Sequence, residues 1–101
     1  MIYYAQDFKK AMKGGGNKMT LYMDIHKGVE GVTAAAVAEA HRKDLEVQEK
    51  HGVKYLKYWF SEEDGNVFCL VEAPSKEAAE AVHREAHGLV ADEIIEVKEG
   101  K

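Results

Sequence analysis

The sequence is poor in the residues that fix a fold covalently or break its elements. It has one cysteine, Cys69, and one proline, Pro74, in 101 residues. A single cysteine cannot form an intrachain disulfide, which excludes a small secreted fold held by disulfides. The sequence has neither a signal peptide nor an apolar run long enough to span a bilayer. These absences predict a cytoplasmic protein that makes no membrane contact.

Several functional classes lack their usual sequence patterns as well. The chain has 14 Lys and Arg against 18 Asp and Glu, a net charge of −4, and no basic stripe interleaved with aromatic residues. This composition argues against a nucleic-acid partner. A phosphate-binding loop, a G-x-S-x-G turn, a C-x-x-C pair and a dinucleotide fingerprint are all missing. Common hydrolase and nucleotide-binding functions therefore have no support.

The first eighteen residues differ in character from the rest. Gly14, Gly15 and Gly16 form a flexible joint, and Met19 then opens a strand pattern. We interpret residues 1–18 as an extension and linker, either an added peptide or a native arm that docks on a neighbouring molecule. Residues 19–101 are long enough for one domain with a modest core.

Hydrophobic periodicity in residues 19–101 predicts six elements. Alternation predicts strands at 20–26, 53–60, 67–73 and about 93–98, and helical spacing with N-caps at Thr33 and Ser75 predicts helices to about His51 and Gly88. Gly52 fits the left-handed position after the first helix. The order β-α-β-β-α-β predicts an α+β, ferredoxin-like fold, with a four-stranded antiparallel sheet and two helices on one face.

Strand alternation also predicts which face of the sheet each side chain occupies. We expect the helix-covered face to hold the more apolar set: Leu21, Met23, Ile25, Leu56, Tyr58, Phe60, Val67, Cys69, Val71, Ile95 and Val97. The open face would then hold Tyr22, Asp24, His26, Tyr55, Lys57, Trp59, Phe68, Leu70, Glu72 and Ile94. So many exposed aromatic residues predict that the protein forms a dimer through the open face.

Histidines on the two helices suggest a metal site. His83 and His87 are spaced i, i+4, so both imidazoles can reach one point, and His41 lies in the apolar stripe of the first helix with Asp44 at its edge. Cys69 would face them from a central strand. Imidazole, thiolate and carboxylate suit late first-row divalent ions. A helix-border pair that bonds to backbone or glutamate, and a cysteine that is only a small core residue, are the alternatives.

A second candidate group lies on the expected open face. Tyr22, Asp24, His26 and Glu72 would be neighbours there, because pairing of the first and third strands brings Glu72 near Tyr22. A carboxylate on an aromatic face needs a partner, which would be Lys57, a tyrosine hydroxyl or a metal. A hydrogen-bonded dimer contact explains the group equally. His26 and His51 end their elements, and we expect both to be exposed.

Three runs of sequence resemble a family of small bacterial proteins. They are EAHRKDLEVQEKHGVKYLKYW, VFCLVEAP and AVHREAHGLVADEI, and the resemblance covers roughly residues 19–97. The family was long catalogued as a domain of unknown function and includes a nickel-binding protein of ferredoxin-like fold. The resemblance implies that fold, a dimer and nickel as ligand. Its runs contain the positions with ligand chemistry: His41, Asp44, Cys69, Glu72, His83 and His87.

We therefore expect a divalent transition-metal protein, with nickel as the first choice and zinc or copper as alternatives, that serves sequestration or sensing rather than catalysis. The first alternative is a dimeric α/β-barrel enzyme or binding protein, whose pocket between sheet and helices holds a small organic molecule while His41 or His87 moves protons. The second is a structural or assembly role for the aromatic sheet face and residues 1–18.

Overall fold

The computed structural model describes residues 19–100 and contains the six predicted elements. Strand β1 spans Thr20–His26 and helix α1 spans Ala34–Val47. Strands β2 (Lys54–Ser61) and β3 (Asn66–Ala73) follow, and then helix α2 (Lys76–Ala86) and strand β4 (Glu93–Glu96). A short 3-10 helix at Gln48–His51 separates α1 from β2. The predicted extension at residues 1–18 lies outside the described residues.

The strands form one antiparallel sheet in the order β2-β3-β1-β4. This order places the two outer elements of the chain, β1 and β4, side by side and seats β3 between β1 and β2. The α+β, ferredoxin-like fold predicted from the element order is confirmed. Within residues 19–100, no helix combines the length and apolar character needed to cross a membrane.

Both helices begin where their sequences predict, whereas the last turn predicted for the first helix is the 3-10 helix Gln48–His51. The Thr33 and Ser75 hydroxyls accept hydrogen bonds from the Ala36 and Ala78 backbone N–H groups, at 3.1 Å in each case. These N-caps satisfy donors that the first helical turn leaves without partners. Gly52 ends the 3-10 helix with φ +69°, a left-handed conformation that costs little without a Cβ.

The side chains of strand β1 lie on the opposite faces of the sheet to those predicted. Tyr22, Asp24 and His26 are 9%, 0% and 3% exposed and face the helices, while Leu21, Met23 and Ile25 occupy the open face. The register carries this to β4, where Ile94 pairs with Asp24 and packs on the core, and Ile95 pairs with Met23 and is exposed. The prediction was wrong because it assigned the apolar set inward, whereas the polar set is stabilised by partners inside the fold.

Strand β2 changes face at a β-bulge. Tyr55 pairs with Val71 on β3, but the next pair is Lys57 with Leu70, so an extra residue is inserted at Leu56. As a result, Tyr55 and Tyr58 both lie on the helix side, although their separation would place them on opposite faces of a regular strand. The predicted outward position of Tyr55 was wrong for this reason. The predicted inward position of Tyr58 agrees with the structure.

The core lies between the sheet and the two helices. Most of its members are small or β-branched side chains, with Val71, Ala73, Ala79 and Val82 wholly buried, and Tyr22 and Tyr55 are its aromatic members. The prediction that Val67, Cys69 and Val71 face the helices is correct. On α1, the buried side chains are Val37 and Asp44, whereas Leu45 is 43% exposed. The helix is thus rotated so that Asp44 points into the core.

Candidate metal centre

His83 lies at the middle of a buried polar cluster. It comes from α2, whose inner face also buries Ala79 and Val82, and only 1% of it is exposed. Its Nδ1 lies 2.9 Å from Asp44 Oδ1 on α1, and its Nε2 lies 2.8 Å from Asp24 Oδ2 on β1. One imidazole therefore joins both layers of the fold through two buried carboxylates.

The two carboxylates determine the protonation state of His83. Burial alone would lower its pKa, but the contacts with Asp24 and Asp44 outweigh burial and raise the pKa to about 11. Tyr55 supports the arrangement, because its hydroxyl donates to Asp24 Oδ2 at 2.6 Å. At neutral pH, His83 is an imidazolium held between two anions, which is the geometry of a cation-binding position.

His87 approaches the same carboxylate from the C-terminal end of α2. Its Nε2 lies 3.0 Å from Asp44 Oδ1, without hydrogen-bonding geometry, and is buried. Burial alone would raise the pKa of Asp44, but His83 and His87 together lower it. Asp44, His83 and His87 each offer a ligand atom, and these three atoms lie within 4.8 Å of one another. They make one group that can hold a metal ion.

The backbone after α2 constrains how His87 can act as a ligand. The Leu89 N–H donates to His87 Nδ1 at 3.1 Å, so Nδ1 is an acceptor and a neutral ring carries its proton on Nε2. Ligation through Nε2 requires that proton to leave and Nδ1 to take one. The Leu89 N–H would then have to turn away from the ring. Metal binding at His87 would be coupled to the conformation of this loop.

A second group shares His83 with the first. His26, Cys69 and His83 also bring ligand atoms within 4.8 Å of one another, and all three are buried. Burial and the neighbouring His83 together lower the pKa of His26 to about 4, so the ring is neutral and suited to ligation. Burial raises the pKa of the Cys69 thiol. Without a metal, this cysteine is a protonated core residue rather than a nucleophile.

The arrangement brings together four of the six predicted ligand positions. Asp44, His83 and His87 form the first group, and Cys69 joins His83 in the second. His41 lines a cavity that Asp44, His83 and His87 also line, and its ring centroid lies 4.7 Å from that of Tyr58. Within residues 19–100, it belongs to neither ligand group. Glu72 pairs across the strands with Leu21 and Lys54 on the open face, opposite the cluster.

Three members of the cluster were not predicted as such: Asp24, His26 and Tyr55. The first two had been assigned with Tyr22 to the open face, and His26 had been expected to be exposed. Their alternation along β1 was recognised, and only the direction of the face was wrong. Tyr55 was misplaced because a bulge is not visible in the alternation. The alternation of Tyr22, Asp24 and His26 on one face of β1 was the pattern that could have identified the site.

Unpaired buried atoms test whether a metal ion fits. Within the described residues, Asp24 Oδ1, His26 Nδ1 and His87 Nε2 are buried side-chain atoms without hydrogen-bond partners. A buried polar atom without a partner costs about 1–3 kcal/mol, so such atoms in a native core call for an explanation. Two imidazole nitrogens, a carboxylate oxygen and a nearby thiol are ligands that suit nickel, copper and zinc. The donor set therefore fits a late first-row divalent ion.

Comparison with known families agrees with the fold and places the chain. Residues 22–97, which contain every residue of the cluster, match the family described as nickel responsive protein SCO4226-like. The chain belongs to this family. The SCO4226-like match supports the resemblance seen in the sequence, and its name indicates a role related to nickel.

A solved member of the SCO4226-like family has the same architecture. The crystal structure of SCO4226 from Streptomyces coelicolor A3(2) is 38% identical to this chain, with a TM-score of 0.75. The match covers 80% of this chain and 99% of the other. A comparison with curated proteins finds no match.

Proposed function

We propose that the protein binds a divalent transition metal, nickel first, in the buried space around His83. The observation that carries the proposal is the pair of ligand groups, Asp44 with His87 and His26 with Cys69, that share this one imidazole. Membership of a family named for nickel response supports the choice of metal. The role is sequestration or sensing, in the cytoplasm.

The acid–base chemistry of the cluster provides a means of coupling metal to protons. The His83 imidazolium carries one proton on Nε2, toward Asp24, and one on Nδ1, toward Asp44, and one of them must leave before a ring nitrogen can bind an ion. The two carboxylates then remain to balance the charge of a divalent cation. We expect metal uptake to release at least one proton per site and to weaken as the pH falls.

The ligand chemistry favours no single late first-row ion. The affinity of such sites for divalent ions generally rises from nickel to copper and falls again at zinc, so copper and zinc should also bind these donors in vitro. A nickel function then depends on the geometry of the occupied site and on metal supply. Calcium and magnesium are not the ions that this site prefers, because they bind oxygen donors, whereas the site offers the thiol of Cys69 and imidazole nitrogens.

Calorimetric titration of the metal-stripped protein with nickel at neutral pH tests the proposal. His87→Ala and the pair His26→Ala and Cys69→Ala remove ligands from one group each while leaving His83 in place. We expect saturable binding in the wild type and a loss of at least about tenfold in affinity when the occupied group is changed. The direct readout is the binding heat, and proton release is obtained by repeating the titration in buffers of different ionisation enthalpy.

His51→Ala is the matched control. His51 lies on the 3-10 helix, contacts Glu85 at the surface and belongs to neither group. It should leave nickel binding unchanged. Equal and weak binding in the wild type and every variant would refute the metal proposal.

Self-association through the open sheet face completes the proposal. Trp59 is 49% exposed there and Ile95 43%, and such side chains in water favour a partner surface. Removing residues 1–18 separates assembly from metal binding. We expect the shortened protein to bind nickel as before, whereas any oligomer larger than the dimer that depends on the extension should disappear.

A further inference from the structure

The two nitrogens of the His83 ring face different layers of the fold. Nδ1 lies 2.9 Å from Asp44 Oδ1 on α1, where His87 Nε2 is 3.0 Å from the same oxygen. Nε2 lies 2.8 Å from Asp24 Oδ2 on β1. The lone pairs of the two nitrogens lie in the ring plane and point away from each other. An ion that binds Nδ1 therefore cannot also bind Nε2, and each nitrogen can serve a ligand group of its own.

The sheet-side nitrogen, Nε2, faces the group that contains His26 and Cys69. Cys69 pairs directly with Asp24 between β3 and β1, so both side chains project from one face of the sheet. His26 follows Asp24 by two positions on β1 and shares that face. Its ring centroid lies 5.0 Å from that of His83. Nε2 is thus the nitrogen that points toward this imidazole and thiol.

The two ligand groups are too far apart to hold one ion between them. Nitrogen, oxygen and sulfur ligands lie about 2.0–2.3 Å from an ion such as zinc, so two ligands of one ion are at most about 4.6 Å apart. The ligand atoms of each group lie within 4.8 Å of one another, whereas within residues 19–100 the members of both groups do not form one such set. The two groups therefore define two positions for an ion.

Buried atoms without partners belong to both positions. In the part of the chain that the structure describes, they are His87 Nε2 on the helix side and His26 Nδ1 and Asp24 Oδ1 on the sheet side. A polar atom that is buried without a partner is destabilising. An ion in one position alone would leave the atoms of the other position unpaired. These atoms therefore favour occupation of both positions.

The charges of the cluster match those of two divalent cations. Asp24 and Asp44 supply two negative charges, and a Cys69 thiolate supplies a third. His83 supplies the fourth when it loses both ring protons and binds through both nitrogens as an imidazolate. The released protons, two from His83 and one from Cys69, pass to solvent. The loaded cluster is then neutral, which favours its burial in a medium of low dielectric constant.

We propose that the protein holds two divalent transition-metal ions bridged by the imidazolate of His83. One ion binds Nδ1 together with Asp44 and His87. The other binds Nε2 together with His26 and Cys69. This inference rests on the proposed metal function, to which it adds a second ion, a bridging ligand and a role for the thiol.

Native mass spectrometry of the nickel-loaded protein counts the ions per chain. We expect two in the wild type and one in His87→Gln and in Cys69→Ala, because each substitution removes a ligand from one group and leaves the other intact. His51→Gln is the control outside both groups and should retain two. Saturation of the wild type at one ion would overturn the bridge and leave the proposed metal function standing. No bound nickel in the wild type would overturn both.

Proton release distinguishes a shared imidazolate from two ions that share no ligand. Nickel is added to metal-stripped protein in a pH-stat at pH 8, and the base that holds the pH constant is counted against the ions bound. We expect three protons per chain in the wild type, two in His87→Gln and one in Cys69→Ala. A charge-transfer absorption of the nickel thiolate should appear in His87→Gln and be absent from Cys69→Ala. Release of only two protons by a wild type that binds two ions would overturn the bridge.

Discussion

The two faces of the sheet depart from the usual distribution of polarity in opposite ways. Between sheet and helices lies a connected cluster of two aspartates, three histidines and a tyrosine hydroxyl, and Asp24, Asp44 and His83 in it are almost fully buried. The open face carries leucine, methionine, isoleucine, tryptophan and phenylalanine beside Lys54, Lys57 and Glu72. The difference teaches that apolar character alone does not tell which face of a strand is inside one subunit.

Each face is explained by the partners that its side chains require. A buried carboxylate is tolerated when an opposite charge and hydrogen-bond donors surround it, and His83 and Tyr55 provide these for Asp24. An exposed apolar face is tolerated when another chain covers it. Each face therefore requires something other than the hydrophobic effect within a single subunit.

Removing the shared imidazole should have the largest effect. His83→Ala leaves Asp24 and Asp44 buried without their cationic partner, and we expect unfolding in urea to show a loss of about 3–5 kcal/mol. His51→Ala, the same change at a surface ion pair with Glu85, should cost less than about 1 kcal/mol. Similar losses in both variants would show that the polar layer is not the special feature of the core.

Charging the open face should act on assembly instead. Met23 and Leu70 are opposite each other on the two central strands, so Leu70→Asp places a carboxylate in the middle of the proposed dimer interface. We expect the dissociation constant of the dimer to increase at least about 30-fold, because a central contact contributes about 2 kcal/mol to the free energy of binding. Sedimentation velocity across a dilution series measures it.

Leu45→Asp is the control for that experiment. Leu45 is a 43% exposed leucine on α1, outside the open sheet face, and its substitution should leave the mass in solution unchanged. A wild-type protein that stays monomeric at all concentrations would show that the open face is not a dimer interface.

Neutralising one carboxylate on each face compares them directly. Asp24→Asn keeps the shape but removes the charge that faces His83, and we expect a loss of about 1–3 kcal/mol in the free energy of unfolding. Glu72→Gln makes the equivalent change on the open face, where the expected effect is within about 0.5 kcal/mol. Denaturant titrations of both variants measure the difference. Comparable losses would mean that the position of the carboxylate does not matter.

The pH dependence of stability should show that folding shifts the pKa values of two neighbouring histidines, His83 and His26, in opposite directions. The folded state raises the pKa of His83 from 6.5 to about 11, so its stabilisation is complete below pH 6.5 and is lost as the pH rises toward 11. The folded state lowers the pKa of His26 from 6.5 to about 4, so stability falls as the pH drops from 6.5 toward 4. The metal-stripped protein should be most stable near pH 6.5.

Each limb of that profile has a limiting slope of about 1.4 kcal/mol per pH unit for one proton. Thermal unfolding between pH 4 and 9 measures both limbs. His26→Gln should flatten the acid limb and leave the alkaline limb in place, whereas His51→Gln should change neither. An acid limb that persists in His26→Gln would assign it to other groups.

The sequence was sufficient for the order of elements, because the alternation of strands, the helical spacing and the N-caps at Thr33 and Ser75 are local properties. It was also sufficient to bring Asp44, Cys69, His83 and His87 into consideration, because each has ligand chemistry and lies near a predicted inner face. It was not sufficient for Asp24 and His26. Their burial depends on His83, which is 59 and 57 positions away in sequence. The local alternation of a strand does not indicate such a long-range contact.

The bulge at Leu56 makes strand length a determinant of chemistry. Upstream of it, odd-numbered positions of β2 point to the helices, and downstream the even-numbered ones do, so the strand changes phase by one residue. Deleting Leu56 would alter no donor in the cluster. It would nevertheless force either Tyr55 away from Asp24 or Tyr58 away from His41. Natural variants that differ by one residue at this point would therefore differ in their binding sites while keeping every ligand-type side chain.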